Sequence, residues 1–191
     1  MKKLIAITLA ALLALSLAAC GATDNPANTR PTDKPASGGS LKPADDGYIF
    51  VAGASEQNVN IVMGADPAPV LAALGEPAHE DETPSCATDA HDITYFYQGF
   101  ELTVTYPDNE DPDYITSLRL VDDTYATQEG IYIGAQSADI KALYGEPDKE
   151  EGGHCFYRKG LCELDISVGV DKDTGETLVD QIIYDYKFLE A

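Results

Sequence analysis

Gly64–Pro77 reads GADPAPVLAALGEP, and Gly134–Pro147 reads GAQSADIKALYGEP. The two stretches align without a gap at an offset of 70 residues. They share seven of fourteen positions, including a closing Gly-Glu-Pro. Each reads as a short helix with its own punctuation. In the first, Asp66 is an N-cap type and Pro67 is tolerated in the first turn. In the second, Ser137 is the natural start and the helix runs to Tyr144. Val70, Leu71 and Leu74 share one helical face, and the second helix is expected to bury Ile140, Leu143 and Tyr144. A glycine C-cap followed by proline stops each helix.

Working outward, Tyr48–Ala52 and Asn58–Met63 read as two strands joined by a polar turn over Gly53–Gln57. Residues 78–91 read as an acidic loop without structure. Ile93, Tyr95 and Tyr97 then alternate with polar residues up to the turn Gln98-Gly99, and Phe100, Leu102, Val104 and Tyr106 alternate after it. A two-residue loop sets Tyr97 opposite Phe100 and Tyr95 opposite Leu102 on one face. The other face holds Thr94, Phe96, Glu101, Thr103 and Thr105. Asp108–Asp113 is a turn, and Ile115–Val121 a third strand with Leu118 and Leu120 inward. The second half repeats this plan: Ile131–Ile133, the helix, a polar loop, a hairpin of Cys155–Arg158 and Leu161–Val170 turning at Lys159-Gly160, and a last strand over Leu178–Lys187. Leu164, Ile166, Ile182 and Tyr184 point inward there. Glu163, Asp165, Ser167, Gln181 and Asp185 point outward. The predicted fold class is α+β: two tandem repeats, residues 46–123 and 124–191, each a short helix packed on one face of an antiparallel sheet with the opposite face wet. A 70-residue unit alone buries too little to be secure, so the two are expected to share a core.

The N-terminus carries a processing segment over residues 1–20. Lys2 and Lys3 precede an apolar run, Leu4–Leu17, that is too short to span a bilayer comfortably. The run ends in Leu17-Ala18-Ala19-Cys20, which resembles the lipobox of bacterial lipoproteins. That resemblance implies a diacylglycerol on the Cys20 thiol and a chain anchored on the outer side of a bacterial cell membrane, where two acyl chains suffice for stable attachment. Residues 21–45 are rich in Pro, Gly, Ser, Thr, Asn, Asp and Lys, and read as a disordered tether. The formal net charge is −21, which excludes nucleic acid as a partner and suits solubility outside the cell. Beyond Cys20, three cysteines remain: Cys86, Cys155 and Cys162. The exterior permits a disulfide among them, and the odd number leaves at least one thiol over. A Lys159-Gly160 turn places Cys155 and Cys162 diagonally, longer than a disulfide prefers; an Arg158-Lys159 turn places them opposite. Cys86 is the rival partner.

The order of strand, glycine, helix ending in Gly-Glu-Pro, then a three-stranded meander, occurring twice, resembles the tandem-repeat fold of β-lactamase inhibitor proteins and the small domain of outer-membrane assembly lipoproteins. Ser85-Cys86-Ala87, Tyr97–Glu101, Thr105-Tyr106-Pro107, Asp122-Asp123-Thr124 and Thr127–Gly134 are also similar to lipoproteins of Gram-positive gut anaerobes. In the inhibitor group the open sheet face grips a protein through aromatic and charged side chains. The resemblance therefore implies partner-binding residues on the corresponding face here: Phe96, Glu101, Thr103, Arg119, Phe156, Glu163, Asp165 and Gln181.

Several constellations invite chemistry. His79, Cys86 and His91 with Glu80–Glu82 can be drawn as a zinc site, though the spacing matches no metal motif. His154-Cys155 pairs a base with a nucleophile, but neighbours in a strand face opposite ways. Asp108–Asp113 and Asp171–Glu176 are acidic, yet lack the Gly and Glu placement of an EF-hand loop and fit ordinary turn chemistry. No glycine-rich phosphate loop and no G-x-S-x-G occurs. The expectation is a non-catalytic extracytoplasmic lipoprotein, without cofactor, that binds a protein or ligand. The alternatives are a metal-dependent envelope enzyme or metal-binding module using His79–His91, and an envelope-assembly accessory.

Overall fold

Alternation of apolar and polar residues dominates the folded part, and strands follow from it. The computed structural model describes residues 47–53, 58–84, 90–108 and 112–187. The processing segment with Cys20, the tether, residues 54–57 of the expected Gly53–Gln57 turn, Cys86 and residues 109–111 of the Asp108–Asp113 turn lie outside these residues. The strands are β1 (Ile49–Ala52), β2 (Val59–Val62), β3 (His79–Pro84), β4 (Ala90–Tyr97), β5 (Phe100–Pro107), β6 (Tyr114–Leu120), β7 (Lys149–Glu151), β8 (His154–Lys159), β9 (Cys162–Val170) and β10 (Thr177–Tyr186). Helix α1 (Pro67–Leu74) follows β2, and α2 (Ser137–Tyr144) precedes β7. β1 and β2 form an antiparallel hairpin. The other eight strands form one sheet in the order β3-β4-β5-β6-β10-β9-β8-β7, with every neighbouring pair antiparallel.

One face of that sheet is the core. Leu102, Val104, Ile115, Leu118, Leu164, Ile166 and Ile182 are fully buried there. The β1–β2 hairpin closes over them: the Phe50 ring lies 5.5 Å from Phe100, 5.5 Å from Tyr125 and 6.0 Å from Tyr184. Both helices dock on the same core through few residues, Pro67 and Val70 from α1 and Ile140 from α2. Asp66 caps α1 by accepting from the Ala68 N–H at 2.9 Å, whereas Gln136 precedes α2 without a side-chain cap. The lead-in to each helix is tied to a central strand. Gly64 N–H donates to Ile115 O and Ile115 N–H to Ala65 O, at 2.7 and 3.0 Å. Gly134 N–H donates to Val179 O and Val179 N–H to Ala135 O, at 2.8 and 2.9 Å.

The expected fold class, two tandem helix-on-sheet repeats of the β-lactamase-inhibitor kind, is overturned. The described residues form a β-rich fold, 53% strand and 12% helix, with two helices among them. Each helix is only eight residues long, and the halves are not separate units because β6 and β10 pair at the middle of one continuous sheet. A helix of two turns buries little area, so the hairpin and the sheet carry the core. Smaller expectations are corrected with it. Residues 79–84 and 149–151, read as loops, are the edge strands β3 and β7. Ile131–Ile133 is not a strand but contributes one isolated bridge, Tyr132 to Ala126. Leu143 is 48% exposed rather than buried.

Candidate interaction face

The core-distal face of the sheet follows from the strand register. His79 pairs with Phe96, Phe96 with Glu101, and Glu101 with Arg119. Arg119 pairs with Ile183, Ile183 with Asp165, Asp165 with Phe156, and Phe156 with Lys149. These eight residues form a single cross-strand row over the full width of the sheet, roughly 34 Å at the usual strand spacing. Neither helix nor the hairpin covers this face among the described residues.

The row is built of pinned groups. The His79 ring sits 5.4 Å from Phe96, and Lys149 Nζ lies 5.5 Å from the centre of Phe156. His154, two residues before Phe156, stacks on it at 5.8 Å with the planes 10° apart. Arg119 grips Glu101 through Nε at 2.9 Å and a second nitrogen at 2.7 and 2.8 Å, the two-pronged geometry that suits a carboxylate. His154 Nδ1 lies 2.9 and 3.0 Å from the Asp165 oxygens. Burial pushes the Asp165 carboxyl above its usual range, and the imidazole only partly offsets this.

A second row runs beside the first. Thr94 and Thr103 join hydroxyls at 3.1 Å there, and one row further out Thr105 bonds both Asp92 and Thr116. Glu163, 6% exposed, accepts from Arg158 Nε at 2.7 Å and lies 3.1 Å from Lys187 Nζ. Burial alone would push its carboxyl up, but the two cations outweigh that and hold it below the ordinary value. On the other flank, Gln181 pairs with Ser167 just after a bulge in β10, and Ser167 Oγ donates to Asp180 at 2.6 Å.

All eight residues expected to meet a partner lie on this face. Phe96, Glu101, Arg119, Asp165 and Phe156 share the central row. Thr103 and Glu163 lie on the second, and Gln181 on the far flank. Sequence reasoning missed His79, Lys149, Ile183 and His154. His79 and Lys149 are 70 residues apart, the offset of the repeated stretch, so that offset was the available signal for them. For His154 it was the two-residue spacing from Phe156.

The other expected sites come apart. His79 lies on the core-distal face, while His91 lies on the opposite one, stacked on Tyr106 at 5.3 Å and paired with Pro84. They do not converge, and no cluster of three or more His, Cys, Asp or Glu side chains with metal-binding geometry occurs among the described residues. The β8–β9 hairpin turns at Gly160-Leu161, so Cys155 pairs with Ile166 and Cys162 with Lys159, unlike either expected register. Four residue steps then separate the two cysteines along the hairpin, roughly 13 Å, beyond a disulfide's reach. Both thiols are free and buried. The Asp171 carboxylate is occupied within its own turn, accepting from Asp173 N–H and from Thr174 N–H and Oγ1. Among the described residues no helix is long and apolar enough to cross a membrane. No protein-family model matches the chain, and no curated protein or solved structure matches it either.

Proposed function

We propose that this chain is a lipid-anchored, extracytoplasmic, non-catalytic binding module that meets a protein partner through the core-distal face of its sheet. The observation that carries the reading is the eight-strand row. Two phenylalanines stand among mostly polar residues, with Ile183 between them at the middle of the row, and each ring is held by a neighbouring ring or cation. A ring already fixed in place loses little rotamer freedom on docking, which favours it as an anchor. The polar groups around the rings are engaged with one another, Arg119 with Glu101, His154 with Asp165 and Ser167 with Asp180. That arrangement supports a rigid recognition surface. The Cys20 lipobox and the Pro- and Gly-rich segment after it support a membrane tether. An envelope-assembly accessory is the same reading with a different partner.

The test is capture from an envelope extract by the full chain and by two variants. A partner retained by the native chain and by Leu143→Ala, but lost from Phe96→Ala/Phe156→Ala, is the expected result. Leu143 is exposed on α2, away from the face. Equal capture by the double variant, with its thermal unfolding unchanged, removes this face from the account.

A further inference from the structure

The register of the eight-stranded sheet has a two-fold relation about its middle. Arg119 pairs with Ile183, flanked by Leu120 with Ile182 and by Leu118 with Tyr184. A half-turn about the sheet normal through that central pair carries β6 onto β10, β5 onto β9, β4 onto β8 and β3 onto β7. It keeps the bulges in step. Thr116 is the extra residue of β6 and Asp180 that of β10, each three residues before the central pair. The same half-turn carries Glu101 onto Asp165, Phe96 onto Phe156 and His79 onto Lys149. From either edge the row therefore runs basic side chain, phenyl ring, carboxylate.

These outward groups match although what holds them does not. Glu101 is gripped by Arg119, whereas Asp165 is held by His154. The Phe96 ring is met by His79 from the next strand at 5.4 Å, and Phe156 by His154 of its own strand at 5.8 Å. Beside the row, positions related by the half-turn differ: Thr94 against His154, Thr105 against Gly169, and Ser117 against Gln181. Core positions in the two halves must resemble one another to pack, but surface positions can differ at little cost to the fold. The likeness lies in what the row presents and not in how the fold supports it.

We infer that the partner proposed above is a homodimer seated with its own two-fold axis on the Arg119–Ile183 pair. Each of its subunits receives one ring in an apolar pocket, with a basic group toward the axis and an acidic group on the outer side. The inference rests on the proposed function and adds the partner's symmetry. Size supports it. The face is roughly 34 Å wide and about 20 Å deep at the usual strand dimensions. A standard interface takes about 800 Å² from each partner, so the face has room for one partner and not for two side by side. The rings stand five strand spacings apart, roughly 24 Å. One partner then meets both by offering the same pocket twice, as a two-fold dimer does. A second copy of this chain does not fit. With the rows aligned it sets Glu101 against Asp165 or against its own twin, and like charges in register repel.

The test takes the protein that the detergent-solubilised full chain captures from envelope extract, purifies it and titrates it back. Native mass spectrometry of the complex is expected to give one copy of this chain to two of a single captured polypeptide. Phe96→Ala and Phe156→Ala, each checked for native thermal unfolding, are expected to weaken binding about tenfold or more, by factors that agree within about threefold. A monomeric partner bound one to one, two different polypeptides, two copies of this chain on one dimer, or ring variants that disagree by more than that margin overturn the inference and leave the proposed function standing. Capture that survives Phe96→Ala/Phe156→Ala, or no capture by the native chain, overturns the proposed function and the inference with it.

Discussion

Gly64 and Gly134 hold the same place in the two halves, just before the helices, and each has its backbone in the left-handed region, with φ of +81° and +93°. Alanine at either position carries the cost of a side chain there, about 1–2 kcal/mol. The two differ in what the new methyl group would meet. At Gly134 nothing lies within 4 Å. At Gly64 a Cβ would fall 2.5, 2.8 and 2.9 Å from three carbons of the Tyr186 ring. That ring is set edge-on against Tyr114 at 5.7 Å, and Gly64 is itself held by its hydrogen bond to Ile115, so neither side yields freely. Overpacking of this kind costs about 1–3 kcal/mol more. Gly134→Ala should therefore lose about 1–2 kcal/mol and Gly64→Ala about 2–5 kcal/mol by the same two contributions. Urea unfolding followed by far-UV circular dichroism measures both. The discriminating step is a double-mutant cycle. In a Tyr186→Ala background the added cost of Gly64→Ala should fall to that of Gly134→Ala. Equal losses in the two single variants, or a Gly64→Ala penalty untouched by removal of the Tyr186 ring, would refute the reasoning.

Two further outcomes follow from the charged and thiol groups. Because the folded chain holds the Glu163 carboxyl below its ordinary value, its contribution to stability is present above the unfolded value of about 4.3. It is lost as pH falls through the folded value. Glu163→Gln should cost about 1–2 kcal/mol at pH 7 and flatten the acid limb of an unfolding-versus-pH curve; an unchanged acid limb counts against the Arg158–Glu163–Lys187 cluster. Burial pushes the Cys155 thiol up and the Cys162 thiol up to about 11, so at pH 8 both should resist iodoacetamide in the native chain and react in urea, as read by peptide mass spectrometry.

What the sequence revealed tracks where local chemistry decides the structure. The Gln98-Gly99 turn and the alternation beside it predict the β4–β5 register correctly, Tyr97 to Phe100 and Tyr95 to Leu102, because a buried face penalises any slip by one residue. The helix limits follow from Gly75 and Gly145, whose positive φ no other residue adopts as cheaply. β3 was illegible for the converse reason. His-Glu-Asp-Glu-Thr-Pro is exposed at every position, so no apolar alternation marks it. Pairing with β4 makes it a strand, and that is a tertiary cause. The β8–β9 turn was misplaced because Leu161 reads as a strand residue. In the fold Leu161 is 38% exposed in the loop, and Gly160 takes the first loop position at φ +58°. The row of eight was half legible for the same reason: parity within a hairpin places Phe96, Glu101, Phe156 and Asp165, but only the sheet order brings the two hairpins together.

That sheet order also bears on how the proposed partner would be met. An open sheet offers two routes, strand addition at an edge and side-chain contact on a face. Here both edges carry charge. β3 presents Glu80, Asp81 and Glu82, and β7 is Lys149-Glu150-Glu151, with every residue of both strands exposed. Carboxylates along an edge repel an approaching acidic strand, above all that of a second copy whose own net charge is −21. β7 is also only three residues long, too short to template a neighbour well. The face differs: Arg119 is paired across strands with Glu101 and His154 with Asp165, and its two aromatic anchors are fixed. Pairing lowers the desolvation cost of covering those charges, because each already has a partner when water leaves. The charge pattern that closes the edges therefore leaves the central row as the surface that the proposed partner would cover at least cost.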